Sequence, residues 1–91
     1  MYYVYILEHG IDSSWYIGFT GNLRKRVSDH QNGKGGRTTR IKPNWNLIYY
    51  ESYLNKSDAL GREIFLKSGS GRKYLKKQLK NYLQDNICKK L

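Results

Sequence analysis

The sequence contains little cysteine, little proline and no long apolar run. Its 91 residues include one cysteine, Cys88, and one proline, Pro43. A single thiol cannot form an internal disulfide and has no companion at metal-ligand spacing, which excludes a disulfide scaffold and a zinc finger. No apolar run approaches the roughly 20 residues that cross a bilayer. Because the chain starts directly in YYVYIL, without the basic region of a signal peptide, we expect a cytoplasmic protein without a membrane partner.

Acidic residues are also scarce. The sequence has 7 Asp and Glu against 17 Lys and Arg, a formal net charge of +10. A field of this sign attracts polyanions, so nucleic acid is the expected partner. A chain of 91 residues supports one modest hydrophobic core. We therefore expect a single domain over residues 1–91, in which 83–91 could form a loosely ordered tail.

Two β-rich segments at the start of the chain predict a β-hairpin. They are YYVYIL at 2–7 and WYIGFT at 15–20, and the turn-forming segment EHGIDSS separates them. A tight turn at residues 10 and 11 would place Tyr5 directly opposite Tyr16, with Tyr3 and Gly18 on the same face. The opposite face then belongs to the core and carries Val4, Ile6, Trp15, Ile17 and Phe19.

The segment NLRKRVSDHQ at 22–31 predicts a short helix with Asn22 as its N-cap. Helical periodicity places Arg26 and His30 on the inward stripe that begins at Leu23. For each residue alone a structural role is the more common explanation: an arginine stem lying along the surface, or a hydrogen-bonded histidine. Residues four apart share a helix face, however, so both could serve one site between this helix and the hairpin.

The remaining sequence predicts a loop, a strand and two helices. Glycines alternate with basic residues from 31 to 43, and WNLIYYESYL at 45–54 is typical of a third strand. Asn55 or Ser57 would cap the helix DALGREIFLKS, and Ser70 would cap the last helix, GRKYLKKQLKNYL. The predicted element order is ββαβαα.

The basic residues of the loop and the last helix predict a polyanion-binding surface. In the last helix, lysines gather opposite the leucines. A merely solvated surface is the alternative, but the net charge favours nucleic acid. The predicted contacts are Lys34, Arg37, Arg40, Arg72, Lys73, Lys76 and Lys77.

Glu63 lies in an apolar sector of its predicted helix, between Leu66 on one side and Leu60 and Ile64 on the other. Burial of an unpaired carboxylate costs several kcal/mol, so Glu63 must meet a cation, a metal ion or hydrogen-bond donors. A buried salt bridge, with Arg26 as a candidate partner, and a metal site both satisfy this requirement. Because the acids are scattered and only Glu63 is predicted to face inward, one Mg²⁺ fits better than a two-metal centre.

Four ordered segments resemble the GIY-YIG nuclease superfamily. They are YVY at 3–5, YIG at 16–18, NLRKRVSDH at 22–30 and Glu63 within ALGREIFLK. The resemblance covers nearly the whole chain. It is greatest to the small, stand-alone bacterial members related to the nuclease module of the excision-repair incision subunit.

The resemblance implies an α+β fold in which a three-stranded antiparallel sheet is flanked by helices. It also implies a DNA endonuclease that uses one Mg²⁺ or Mn²⁺ held by Glu63. Tyr5 and Tyr16 match the two motif tyrosines, and Arg26 and His30 match the helix positions. Two features depart from the family pattern. Tyr3 and Val4 replace the motif's Gly and Ile, and a late active-site asparagine has no secure counterpart, Asn81 being the one late helical candidate.

We therefore predict hydrolysis of DNA phosphodiester bonds, with Arg26 neutralising charge in the transition state. Tyr5 or Tyr16 is the predicted general base, and His30 either relays the proton or holds a tyrosine hydroxyl. Specificity would come from DNA shape, ends or branches, or from a partner protein. The alternatives are a non-catalytic nucleic-acid-binding module and a structural protein of a ribonucleoprotein. The sequence leaves open the oligomeric state and the pathway, with DNA repair, restriction and mobile elements all compatible.

Overall fold

In a computed structural model, residues 1–32 and 44–90 are described, with side chains for 1–32 and 44–85. These described residues form three antiparallel strands and four helices. The elements are β1 (Tyr2–His9), β2 (Trp15–Thr20), α1 (Leu23–Gln31), β3 (Trp45–Tyr53), α2 (Lys56–Lys67), α3 (Gly69–Gln78) and α4 (Lys80–Lys90). The predicted α+β class with a three-stranded antiparallel sheet is confirmed. No helix within the described residues is long and apolar enough to cross a bilayer.

The sheet has the order β2-β1-β3 and is covered on both faces. The central strand β1 is therefore buried continuously over residues 4–9. The core on the α2 and α3 side contains Val4, Ile6, Ile17, Ala59, Leu66 and Leu75. A second core lies on the α1 side and contains Tyr5, Leu7 and Trp45, with Tyr16, Leu23, Val27 and Leu47 packed against it. The face of the hairpin that carries Tyr5 and Tyr16 therefore packs against α1.

The hairpin register differs from the prediction by two residues. Tyr5 pairs with Gly18, and Tyr16 pairs with Leu7, so Tyr5 and Tyr16 are not directly opposite each other. The loop is longer than a two-residue turn, since the strand pairing ends at Glu8 and Trp15. Within it, Ser13 adopts a positive φ of 60°, and Asp12 accepts hydrogen bonds from Ser14. A shift of two residues preserves the face of every side chain, so the predicted division into two faces holds.

Side-chain caps define where the helices begin. The Asn22 side chain accepts from the Lys25 backbone N–H, which confirms the predicted N-cap of α1. Asn55 caps α2, one of the two predicted alternatives. The prediction of Ser70 as the cap of the following helix is wrong, because Ser68 accepts from the Gly71 N–H. The predicted last helix is also divided in two at Leu79, where ψ is 22°.

Gly71 allows the close contact between α2 and α3. An added Cβ would collide with the Phe65 carbonyl oxygen and lie 2.6 Å from the Leu66 Cα. Backbone cannot move aside as a flexible side chain can, so we expect Gly71→Ala to lower the free energy of unfolding by about 3 kcal/mol. Gly69→Ala is the matched control, since its Cβ meets no described atom within 4 Å. Urea unfolding checks this, and equal stability of the two variants would contradict it.

Candidate active site

A hydrogen bond between Tyr5 and His30 joins β1 to α1 beneath the helix. The Tyr5 Oη and His30 Nε2 atoms are 2.9 Å apart, and both side chains are almost completely buried. His30 faces inward because α1 starts at Leu23 and its inward stripe returns at positions 26, 27 and 30. The structure therefore gives this histidine a specific phenol as its partner.

Tyr16 and Arg26 complete the cluster around Tyr5. The Tyr16 ring lies 4.7 Å from the His30 ring and 6.3 Å from the Tyr5 ring, measured between centroids. Arg26 lies within side-chain hydrogen-bonding range of both phenols, and its interaction with Tyr5 has the larger effect on its pKa. Although the predicted register is wrong, the two tyrosines still share one face and one guanidinium.

Gly18 provides the space for the Tyr5 hydroxyl. A Cβ at this position would collide with Tyr5 Oη and lie 2.5 Å from Tyr5 Cζ. The glycine that follows Tyr16 and Ile17 on β2 is therefore a steric requirement of the Tyr5 position. The space that Gly18 leaves is filled by the protein's own Tyr5 phenol.

Burial and nearby charge shift the pKa values within the cluster. Burial raises the pKa of Tyr5 to about 12, although its hydrogen bond to Arg26 acts in the opposite direction. The interaction with Tyr5 raises the pKa of Arg26 above its ordinary value. Burial, and then the charge of Arg26, lowers the pKa of His30, while Asp29 opposes that shift. At neutral pH, Tyr5 is thus a neutral phenol beside a neutral imidazole and a permanent cation.

The lowered pKa of His30 predicts that acid destabilises the fold. Below the ordinary histidine pKa of 6.5, the unfolded chain binds a proton at this residue that the folded chain resists. We expect the free energy of unfolding to fall as pH decreases from 6.5 towards the lower pKa of the folded state. His30→Gln should remove this part of the pH dependence. Urea unfolding of both proteins at several pH values checks it, and identical profiles would contradict it.

Glu63 lies at the margin of the buried face of α2, and its side chain is 18% exposed. Its carboxylate pairs with Lys67, with Lys67 Nζ 3.1 Å from Glu63 Oε2, rather than with Arg26 as one interpretation suggested. The predicted apolar sector is narrower than expected, because Ile64 is 72% exposed and Leu60 is also exposed. Glu63 is nevertheless close enough to Tyr5 for its negative charge to raise the pKa of that phenol.

The Glu63 carboxylate fits a single hard cation. It is half-buried and is paired with a lysine that is 53% exposed and can move away. Among the residues that the structure describes, no three His, Cys, Asp or Glu side chains converge on a common point. Mg²⁺ retains most of its water molecules and is commonly held by one carboxylate together with phosphate oxygens. Glu63 would hold such an ion.

Two other acids also face inward, contrary to the prediction that Glu63 alone does so. Glu8 is buried and accepts hydrogen bonds from the Trp15 indole and the Tyr82 hydroxyl. Glu51 is half-buried on β3. The helical periodicity that identified Glu63 could not identify these residues, because both lie on strands, where alternate residues share a face.

Glu51 and Arg62 form a cluster that the sequence interpretation missed. Arg62 donates from Nε and Nη2 to the two carboxylate oxygens, at 2.9 and 3.1 Å. Tyr49 and Tyr53 also donate to Glu51. Burial acts to raise the pKa of Glu51, but these hydrogen bonds hold it below its ordinary value. In the sequence, the alternation of Tyr49, Glu51 and Tyr53 was the signal that could have identified this cluster. The cluster attaches α2 to β3 next to Glu63.

The predicted nucleic-acid contacts are only partly within the described residues. Arg72, Lys73, Lys76 and Lys77 lie on α3, and all are exposed. The three lysines line an open groove together with Tyr74 and Lys80. Lys34, Arg37 and Arg40 lie outside the described residues. Asn81, the late asparagine candidate, is exposed on α4.

Comparisons with known proteins identify the family of the chain. Residues 1–85 match the GIY-YIG catalytic domain family. The chain is 42% identical over 87 residues to a UPF0213 protein of Pediococcus acidilactici, covering 93% of this chain and 83% of that protein. It is 45% identical over 67 residues to the UPF0213 protein CPE1444 of Clostridium perfringens, covering 74% and 71% of the two chains.

A solved structure has a similar fold. The solution NMR structure of the UPF0213 protein BH0048 from Bacillus halodurans is 37% identical, with a TM-score of 0.52. The similarity covers 90% of this chain and 85% of that one. The family match extends over both tyrosines, α1 and Glu63, the same elements that converge in the structure. The chain belongs to the GIY-YIG family of catalytic domains and is similar to small bacterial UPF0213 proteins.

Proposed function

We propose that the protein is a metal-dependent endonuclease that hydrolyses DNA phosphodiester bonds. The observation that carries this proposal is the convergence of Tyr5, His30 and Arg26 in one cluster whose phenol is influenced by Glu63. A non-catalytic binding module would need neither a buried phenol–imidazole pair nor a half-buried guanidinium beside it. The GIY-YIG family typically consists of endonucleases, which supports the same reaction class.

Tyr5 and His30 provide the route for the proton of the attacking water. A free phenolate is disfavoured at Tyr5, since burial raises its pKa to about 12. The 2.9 Å hydrogen bond offers an alternative, in which Tyr5 accepts the proton from water as its own proton passes to His30 Nε2. His30 can accept it because burial and Arg26 favour its neutral form. Tyr5 is therefore the proposed base and His30 the relay.

Arg26 and Tyr16 hold the phosphate. The guanidinium stays positive throughout the reaction and can neutralise the charge that develops on the nonbridging oxygens. Tyr16 is half-buried beside Arg26, so its hydroxyl can orient the phosphate or the water. A Mg²⁺ or Mn²⁺ ion at Glu63 would supply Lewis-acid stabilisation of the leaving oxygen.

Binding to DNA would depend mainly on basic side chains that contact the backbone. The exposed Arg72, Lys73, Lys76 and Lys77 on α3 are the described candidates, and Lys34, Arg37 and Arg40 complete the proposed set. Contacts of this kind carry little sequence information. We therefore expect selectivity to come from DNA form or from a partner protein. The proposed location of this activity is the cytoplasm.

The test is nicking of supercoiled plasmid with Mg²⁺, with EDTA as the metal-free control. We expect wild type to nick and Tyr5→Phe to be slower by about 100-fold, because general-base assistance is worth roughly 10²–10⁴-fold. Tyr2→Phe is the matched control on the same strand, since Tyr2 packs against Phe19 and no hydrogen bond of its hydroxyl is described. It should nick as wild type does.

Three outcomes would contradict parts of the proposal. Nicking at equal rates by wild type and the Tyr5→Phe variant would indicate that the Tyr5 hydroxyl has no part in the reaction. Plasmid binding without cleavage by wild type, with Mg²⁺ and with Mn²⁺, would favour the non-catalytic binding module. A sharp cleavage consensus on linear duplex would contradict the expectation of shape-based selectivity.

A further inference from the structure

An open groove of about 630 Å³ lies on the other side of α1 from His30. Its walls are α1 and the sheet, and it ends at the turn that joins β2 to α1. Arg24, Val27, Ser28 and Gln31 form the helix wall, while Tyr3 and Tyr50 form part of the sheet wall. Arg26 and His30 do not line this groove, so it lies beside the candidate active site rather than within it.

The groove combines aromatic surface with positive charge. Tyr3 and Tyr50 make an edge-to-face contact with ring centroids 6.1 Å apart, and Tyr50 is 53% exposed. Tyr50 is on this face because β3 has a bulge at Ile48, which brings Tyr50 opposite Tyr5. The exposed Arg24 lies across from the two rings on α1. An exposed tyrosine with a nearby arginine is the combination on which unpaired bases stack.

The groove is continuous with the candidate active site at the start of α1. Gly21 and Asn22 line it, and the same two residues line a depression that also contains Lys25, Arg26 and Asp29. An added Cβ at Gly21 meets no described atom within 4 Å, so the crossing between the two is open. A strand with a phosphate at Arg26 could pass over Gly21 and place its next nucleotide in the groove.

We propose that this groove binds an unpaired nucleotide next to the cleaved phosphodiester, with its base stacked on Tyr50 and its backbone near Arg24. The inference rests on the proposed endonuclease function and narrows its substrate class. Bases within a duplex are stacked on each other and cannot reach an aromatic side chain, whereas bases of a flap, gap or frayed end can. The preferred substrates are therefore DNAs with an unpaired strand at the cleavage point.

The first test measures binding without cleavage. Wild type in EDTA is titrated into a single-stranded oligonucleotide that carries 2-aminopurine, whose fluorescence falls when it stacks on an aromatic ring. We expect quenching by wild type and by Tyr50→Phe. Tyr50→Leu should lose the quenching and bind about tenfold more weakly, because stacking on an aromatic residue typically contributes that much per base. Its affinity for a duplex of the same sequence should change less than twofold.

A second variant tests the path between groove and active site. Gly21→Leu should slow cleavage of a flap substrate by about tenfold relative to duplex nicking, because the side chain would occupy the crossing. Gly61→Leu is the matched control, since an added Cβ at Gly61 on α2 also meets no described atom within 4 Å. Urea unfolding confirms that both variants fold. An equal effect of Gly21→Leu on flap and duplex would overturn the proposed path.

The outcomes separate this inference from the proposed function. If Tyr50→Leu retains quenching and affinity for the single strand, the groove is not the base-binding site, even if wild type cleaves DNA. If wild type cleaves nothing but Tyr50→Leu loses single-strand binding selectively, the groove is supported and the endonuclease is not. An equal loss of single-strand and duplex binding by Tyr50→Leu would overturn the groove as a site for unpaired bases.

Discussion

Replacement of Glu63 by glutamine is expected to abolish DNA cleavage, with a fall in rate of at least about 10³-fold. Glutamine keeps the size and shape of the side chain but removes the charge that would hold a divalent cation. The loss of metal-based charge stabilisation costs several kcal/mol in the transition state, and each 1.4 kcal/mol is a factor of ten in rate. The measurement is the initial rate of plasmid nicking across a range of Mg²⁺ concentrations.

The same substitution should hardly change stability. The ion pair that it removes joins Glu63 to Lys67 four residues along α2, and Lys67 is 53% exposed. Pairs of this kind contribute at most about 0.5 kcal/mol. Asp58→Asn, on the same helix and exposed, is the matched control for loss of one negative charge and should nick as wild type does. If the Glu63→Gln variant nicks at the wild-type rate, Glu63 is not part of the active site.

The sequence is sufficient to predict the face on which each candidate residue lies, but not its partner. The period of two in the hairpin places Tyr5 and Tyr16 on one face for any even shift in register, so the error in the turn did not separate them. The helical period likewise predicts that Arg26 and His30 face inward. Neither periodicity predicts that Tyr5 contacts His30, since that contact depends on how α1 lies across the sheet.

The contacts of charged residues on strands could not be predicted from helical periodicity. Glu51 and Arg62 lie 11 residues apart on different elements and meet because α2 packs against the face of β3 that carries Tyr49 and Tyr53. Their partners come from tertiary packing, and so does the collision that requires Gly71 to be glycine. The predicted N-cap of α3 was wrong for a local reason, because Ser68 and Ser70 are both acceptable caps by residue type.

The Glu51–Arg62 pair also explains how Glu63 keeps its orientation although its side chain is only partly buried. Arg62 is fixed at both carboxylate oxygens of Glu51, and its guanidinium lies over the rings of Phe65 and Tyr74. These contacts limit rotation of α2 about its axis. The next residue along the helix, Glu63, is thereby kept in place, near enough to Tyr5 for its charge to raise the pKa of that phenol.

Replacement of Arg26 by alanine is expected to slow cleavage by about 10²–10³-fold, the second-largest effect. Loss of one well-placed donor to a developing negative charge has a cost of this size. Arg26→Lys should recover only part of the rate, since lysine keeps the charge but cannot contact Tyr5, Tyr16 and a phosphate from one planar group. The rates of plasmid nicking by both variants, with Lys56→Ala as the exposed-cation control, measure the effect.

The Arg26 variants also test the proposed proton route from Tyr5 to His30. The charge of Arg26 lowers the pKa of His30 and so favours the neutral imidazole that accepts the Tyr5 proton. Without that charge the imidazole should stay protonated to higher pH, so the acid limb of the pH–rate profile of Arg26→Ala should lie at higher pH than that of wild type. In the His30→Gln background this shift should disappear, because there is no imidazole left to titrate. If the acid limbs of Arg26→Ala and wild type lie at the same pH, Arg26 acts on the phosphate alone, and the proton route through His30 is wrong.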